Sequence, residues 1–260
     1  MPVRLINAAL VLCALICLGV AFIEDSSSWA VAAIPLVVAA AVLYTMMPQL
    51  EWAYYVRRPR DLEKPIQGLF AARLPAWYQS MSQSEQKTFR ERVFLARLGT
   101  DVKGQGFEDG EVPVDVESLI VSQLVRVAAP SGRYVIEPFE TVVVYQHPFP
   151  SPEFPEQWHS SELYAEDGVV LLSLEAALPG IFEPRNHFNI ALYEWARAAL
   201  SVNDRTSQTK ENIDWQSAVQ SIAGKAPEWV SDAIGLGEHE VDGSAVLEVL
   251  RLEFETYNAE

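Results

Sequence analysis

Two long apolar runs open the chain. Residues 5–23 are almost wholly apolar, and residues 29–47 form a second run interrupted by Pro35, Tyr44 and Thr45. Each approaches the roughly 20 residues that a helix needs to cross a hydrocarbon core of about 30 Å. Buried helices of soluble proteins seldom stay apolar on every face for that length. The polar stretch Glu24-Asp25-Ser26-Ser27-Ser28 between the runs predicts a helical hairpin. A cleaved secretory signal fits the first run poorly, because its basic flank is Arg4 alone and a second run follows at once. Residues 1–48 are therefore expected to form a transmembrane hairpin, residues 49–69 a juxtamembrane linker, and residues 70–260 one globular domain.

Beyond the runs the pattern alternates between helical and strand-like periods. Ser82-Gln83-Ser84-Glu85 is a capping box that predicts a helix running toward Leu98. Gly104 to Pro113 is Gly-rich and acidic and reads as a loop. Val116, Leu119, Ile120 and Leu124 recur at three and four, which predicts a helix from Val114 to Val127. Arg133 to His147 and Leu163 to Leu174 are rich in Val, Tyr and Leu and predict strands, with a proline-rich loop from Pro148 to Pro155. Helices are expected over residues 189–201, 215–222, 227–234 and 244–257. Strands in the middle with helices on either side indicate an α+β domain. No internal repeat and no phosphate-cradling glycine motif is present.

Charge adds an orientation. Arg57, Arg58, Arg60 and Lys64 follow the second run, Arg4 precedes the first, and the connecting turn carries no Lys or Arg. The positive-inside rule then puts both termini and the domain in the cytoplasm, with Trp52, Tyr54 and Tyr55 at the interface. The net charge of −16 argues against a nucleic-acid surface, which needs clustered Lys and Arg. The two cysteines, Cys13 and Cys17, lie four apart in the first run, where they are expected to pack as small apolar groups. They supply neither a disulfide framework nor a cysteine metal site.

The candidate chemistry lies in Asn189-Ile190-Ala191-Leu192-Tyr193-Glu194-Trp195-Ala196-Arg197. A zinc-peptidase helix carries His-Glu-x-x-His, with two imidazoles on one face and a glutamate that activates the metal-bound water. Here Glu194 is flanked by Tyr193 and Arg197 at the two ligand positions. A guanidinium has no lone pair for a cation. The bland reading is a solvated Glu–Arg pair on an ordinary helix. The wider chain adds weight to the other. From about Leu74 to Leu200 it resembles the Mlc titration factor A family of zinc metallopeptidases. The segments that carry this are Leu74-Pro75-Ala76-Trp77-Tyr78, Phe89-Arg90-Glu91-Arg92-Val93, Thr141-Val142-Val143-Val144-Tyr145 with Pro148 and Phe149, and His159 to Leu163 followed by Asp167 to Leu174. The last pair resembles the family's hairpin leading to the metal helix, and Asn189 stands where the family has an Asn before its metal motif.

The resemblance implies a zincin-like fold whose edge strand lies beside the metal helix and aligns an extended peptide. It places Tyr193 and Arg197 at the first and second ligands and Glu194 at the general base. The third ligand, a glutamate on a later helix, maps to Ala245 in Asp242-Gly243-Ser244-Ala245-Val246-Leu247, with Glu240 or Glu248 as alternatives. On that reading the family's zinc is not retained. A relocated site would draw on His187 or His239, with His147 and His159 also in the domain. Ser160 and Ser161 beside His159 are neighbours in sequence only, which is not a triad. The expected function is a peptidase-like scaffold, anchored in a bacterial inner membrane, that binds a peptide or protein partner through the former active-site cleft without cutting it. The alternatives are an active zinc peptidase with an atypical site and a structural subunit of a membrane assembly. Arg197 is expected to fill the cation's place and neutralise Glu194, with the Tyr193 hydroxyl nearby.

Overall fold

A computed structural model describes residues 2–25, 27–151, 155–202 and 214–254. The chain divides into two compact units, Met1–Pro59 and Arg60–Glu260. The first holds helices α1 (Pro2–Glu24), α2 (Ser27–Thr45) and α3 (Met47–Arg57). The first two helices are long and apolar enough to cross a membrane by length and composition. They pack side by side along positions spaced three and four apart. Leu10, Ala14 and Cys17 face Ala33, Leu36 and Ala40 in this buried or half-buried seam. Its deepest residues are Ala14, Ala33 and Ala40, small side chains that let two backbones approach closely. The large apolar side chains point the other way, with Phe22 90% and Ile23 83% exposed. That arrangement is inverted relative to a water-soluble helix pair. Cys13 also faces outward, so of the two cysteines only Cys17 joins the seam. Asp25 closes the turn at φ 49°, and the Trp29 indole donates to Glu24 at 3.0 Å. Arg4 pairs with Glu51 of α3 at 2.7 Å.

The expected linker over residues 49–69 is not extended. Its first half lies in α3, and its second half enters α4 (Lys64–Arg73) of the other unit. The reason is packing: Leu62, Ile66 and Phe70 are four apart and all are buried in the core.

The second unit is α+β, with a four-stranded mixed sheet. Its strands are β1 (Asp101–Gln105), β2 (Thr141–Tyr145), β3 (Ser161–Tyr164) and β4 (Val169–Ser173). They lie in the order β1-β2-β4-β3; β1, β2 and β4 are parallel, and β3 runs antiparallel on the edge. Val142 and Val144 on β2 stand beside Val170 and Leu172 on β4, and all four are fully buried. The expected long strand over residues 133–147 shortens to β2, because Pro138 lacks the N–H a ladder needs. The run from 163 to 174 folds into the β3–β4 hairpin, turned at Gly168 with φ +64°. Strand β1 was not foreseen, and its last two residues, Gly104 and Gln105, were read as the start of a loop; its Gly and alternating charges weaken strand propensity, and pairing to β2 overrides it.

Helices surround this sheet: α5 (Ala76–Gln79), α6 (Gln83–Gly99), α7 (Val114–Ala128), α8 (Leu174–Phe182), α9 (Ile190–Val202), α10 (Trp215–Ala218), α11 (Glu228–Ile234) and α12 (Gly243–Glu253). The capping box forms as expected, with Glu85 N–H on the Ser82 hydroxyl and Ser82 N–H on the Glu85 carboxylate. Helix α8 replaces the end of the expected second strand. Helix α9 is central. It packs on β3, β4, α7, α8 and α12, and Ile190 to Ala196 are all buried. The last helix ends at Glu253, with Phe254 already outside it; residues 255–257 of its expected extension lie outside the described residues, as do 152–154 of the proline-rich loop.

Helix α8 meets the start of α9 at Gly180. A methyl group there would collide with the Phe188 carbonyl and approach the Asn189 Cα to 2.7 Å. Gly180→Ala is expected to cost about 1–3 kcal/mol through overpacking. The check is a thermal or urea melt of the full chain, with Gly68→Ala, an open position, as the control expected to leave stability unchanged or raised.

Candidate functional site

Helix α9 begins where Asn189 can serve two elements at once. Its side-chain oxygen accepts from Leu192 N–H at 3.1 Å, which caps the helix. Its amide nitrogen donates to Gln123 at 3.1 Å and to Glu253 at 3.0 Å. Arg126 completes the group, donating to Gln123, to Glu253 and to the Leu252 carbonyl. Residues from α7 and α12 therefore fix the start of α9, and with it the direction of Tyr193, Glu194 and Arg197.

Glu194 is fully buried. Its Oε1 accepts from the Ser161 hydroxyl of β3 at 2.7 Å and from Arg197 Nη1 at 3.2 Å; its Oε2 accepts from the same Nη1 at 2.9 Å. The Tyr193 hydroxyl accepts from Asp242 N–H at 2.9 Å, while the Asp242 carboxylate caps α12 by accepting from Ser244 and Ala245 N–H. The Arg197 guanidinium lies 5.6 Å from the Tyr193 ring centre. Tyr193, Glu194, Arg197 and the first turn of α12 thus meet. Ala245 is buried in that turn. The two alternatives are engaged elsewhere. The Glu240 carboxylate takes Gly237 N–H, and Glu248 pairs with Arg251.

Burial sets the electrostatics. It pushes the Glu194 carboxyl above the ordinary glutamate range, opposed by Arg197 and the Ser161 hydrogen bond. Burial also raises the Tyr193 phenol, which stays neutral. Arg197 loses hydration too, but Glu194, Tyr193 and Asp242 more than restore its charge. All three hydrogen bonds to Glu194 come from donors, so the geometry suits a carboxylate.

These residues do not fit zinc. Arg197 has no lone pair to offer, Ala245 has no donor atom, and the neutral Tyr193 oxygen is turned to Asp242 N–H. Donors occupy both Glu194 oxygens. The other histidines do not converge. His187 is exposed ahead of α9, so it shares no helix face with Glu194, and His239 is exposed in the turn Glu238–Glu240. His147 pairs with Glu175 on the surface. Among the described residues no group of three or more His, Cys, Asp or Glu is placed to hold a metal.

His159 and Glu162 form a second buried pair, at 2.9 Å between Nε2 and Oε2. His159 Nδ1 faces the Gln157 carbonyl at 3.1 Å, which can only accept, so that nitrogen carries hydrogen. This pair sits one step along β3 from Ser161 and faces the other way.

Two site residues went unrecognised in the sequence. Ser161 was weighed only as part of a triad, and its partner lies 33 positions away. Asp242 bears an N-cap signature, Asp before Gly-Ser, but nothing local ties its amide to Tyr193. Glu194 borders neither the cavity beside Trp77 and Arg92, nor the one between Trp77 and Glu183, nor the one beside Ala196 and Arg251. No protein-family model, curated protein or solved structure matches the chain.

Removing Arg197 leaves a buried carboxylate without its counter-charge. Arg197→Ala is expected to cost about 3 kcal/mol, the low end for breaking a buried pair because the guanidinium is 25% exposed. Glu194→Gln in that background should recover much of the loss. The pH dependence follows from the raised carboxyl. The native state binds more protons than the unfolded chain, so stability falls as pH rises past the ordinary glutamate range. The fall between about pH 5 and pH 8 should be steeper in Arg197→Ala and absent in the double variant. Denaturant titration at the two pH values measures it.

Proposed function

We propose that this chain is a membrane-anchored protein with a zincin-like domain, in which an internal ion pair has replaced the metal. On this reading the domain binds an extended peptide or protein segment and does not cleave it. The observation that carries the reading is the Glu194–Arg197 pair, with Arg197 on the helix position of a metal ligand, one turn from the position of the base. A short antiparallel edge strand, β3, joined to that helix through Ser161 and Glu194, supports it. Such an edge can take an added strand, with main-chain hydrogen bonds giving affinity and side-chain pockets giving selectivity.

The anchoring half of the proposal rests on α1 and α2, with small residues between them and large apolar residues outward. Arg57, Arg58, Arg60 and Lys64 after the hairpin favour a bacterial inner membrane with both termini and the domain cytoplasmic. The partner is a protein or peptide. The acidic net charge of −16 leaves nucleic acid aside.

Two experiments test this. Tyr193→His with Arg197→His, and with Ala245→Glu added, should take up one zinc ion in calorimetric titration, while the unaltered chain takes up none. Failure of the triple variant to bind zinc would remove the peptidase ancestry, and stoichiometric zinc in the unaltered chain would favour an active enzyme. Separately, residues 1–59 are exchanged for an unrelated two-span hairpin, and co-purification from detergent-solubilised membranes is compared. A partner retained after the exchange belongs to the domain; a partner lost with the native hairpin indicates a structural subunit instead.

A further inference from the structure

The cavity beside Trp77 and Arg92 measures about 470 Å³ and lies between α6 and the end of α7. Its floor is apolar. Phe89 and Val125 are buried there, with Met81 half-buried beside them. Ser84, Glu85 and Thr88 along the rim are exposed, so the cavity opens to solvent. The volume falls within the range of small-ligand pockets, about 300–1,000 Å³.

Two guanidiniums border this cavity, and they differ in what they already hold. Arg126 is committed to Gln123, Glu253 and the Leu252 carbonyl. Arg92 is half-buried, and its one hydrogen bond runs from Nη1 to the Ala129 carbonyl at 3.5 Å. Arg92 and Ala129 both border the cavity, so this contact puts the guanidinium tip at its wall. The acidic residues of α6 do not pair with Arg92. Glu85, also on the rim, stands two turns back, about 10 Å along the helix axis, and its carboxylate takes Ser82 N–H at 2.8 Å. Glu91 faces Lys87 at 3.7 Å. A guanidinium offers five N–H donors, and here one long bond to a neutral oxygen uses one of them.

We infer that this cavity binds a free medium-chain carboxylate, with its head on the Arg92 guanidinium and its alkyl chain over Met81, Phe89 and Val125. The planar fork of arginine matches a carboxylate with two parallel hydrogen bonds. One uncommitted positive charge suits one negative charge. A dianionic phosphate would bring a second charge onto an apolar floor with nothing to balance it. A cation would be repelled, and a purely apolar ligand would strip water from the guanidinium without replacing it.

The test uses the full chain in detergent with methyl-¹³C methionine. Of its four methionines only Met81 lies beyond Pro59, and Met81→Leu identifies the signal. Free ligand is corrected for uptake by protein-free detergent. Octanoate should move the Met81 signal saturably, with a Kd on the order of millimolar for so small a ligand. Octylammonium should not move it, and 1-octanol should bind about tenfold more weakly or worse. Arg92→Gln should weaken octanoate by a similar factor, and Arg92→Lys, which keeps the charge, should recover part of the loss. Thr88→Trp fills the cavity from its exposed rim with Arg92 in place. It should abolish the shift, and it decides the matter should Arg92→Gln fail to fold. The inference is overturned if octanoate leaves Met81 fixed, if 1-octanol binds equally well, or if the shift survives Arg92→Gln or Thr88→Trp. Tighter binding of N-acetyl-leucylleucine than of octanoate would also overturn it, because the occupant would then be a protein C-terminus.

Discussion

A carboxylate with no exposed surface needs a counter-charge, and in this fold Arg197 supplies it to Glu194. The isolated charge would be expensive in the interior, where it would be protonated or would loosen the packing around it. The guanidinium suits the task because it stays charged and its apolar stem can be buried while its tip reaches water. Ser161 adds a third hydrogen bond and ties the helix to the edge strand. One electrostatic requirement therefore fixes the rotation of α9 and its approach to β3.

The same solution appears again nearby. Glu253 is nearly as buried as Glu194 and is matched by Arg126. Asn189 bridges the two groups: it caps α9 with its oxygen and holds Glu253 with its nitrogen. Helices α7, α9 and α12 are thereby locked by polar contacts as well as by the apolar packing of Trp195, Ile120 and Leu250. Buried networks of this kind restrict how helices can slide, since a shift of one turn would strand every donor and acceptor at once. They are weak sources of net stability but strong sources of a defined geometry.

Local features were legible in the sequence and long-range ones were not. The Ser82 capping box, the three-and-four spacing of α7 and the Asn189 start of α9 each involve partners within one helical turn, and each was foreseen. So was the Glu194–Arg197 pair, three residues apart. Ser161 and Asp242 act on α9 from 33 and 49 positions away, and no pattern within a window of ten residues contains such a distance. Strand β1 and helix α4 were missed for a related reason. Asp101-Val102-Lys103-Gly104-Gln105 has poor strand propensity and becomes a strand because β2 offers a parallel edge. Residues 62–69 fell within the expected linker because the stripe of Leu62, Ile66 and Phe70 is too short to stand out. The zincin-like reading rests on motif order along the chain.

The two units solve opposite solvent problems with related means. In the hairpin the small residues meet and the large apolar ones face outward, so the close approach of Ala14, Ala33 and Ala40 takes the place of a hydrophobic core. In the domain the large residues are inside, and polar groups enter only when paired. Charge follows the same division. The described hairpin helices carry few ionised groups, and Arg4 and Glu51 neutralise each other. The acidic excess belongs to the domain, where 32 of the 35 Asp and Glu residues follow Pro59. Such a domain has little intrinsic attraction to an anionic lipid surface. If it works at a membrane, the hairpin must hold it there, and its partner must be chosen by the shape and hydrogen bonding of its surface more than by long-range attraction.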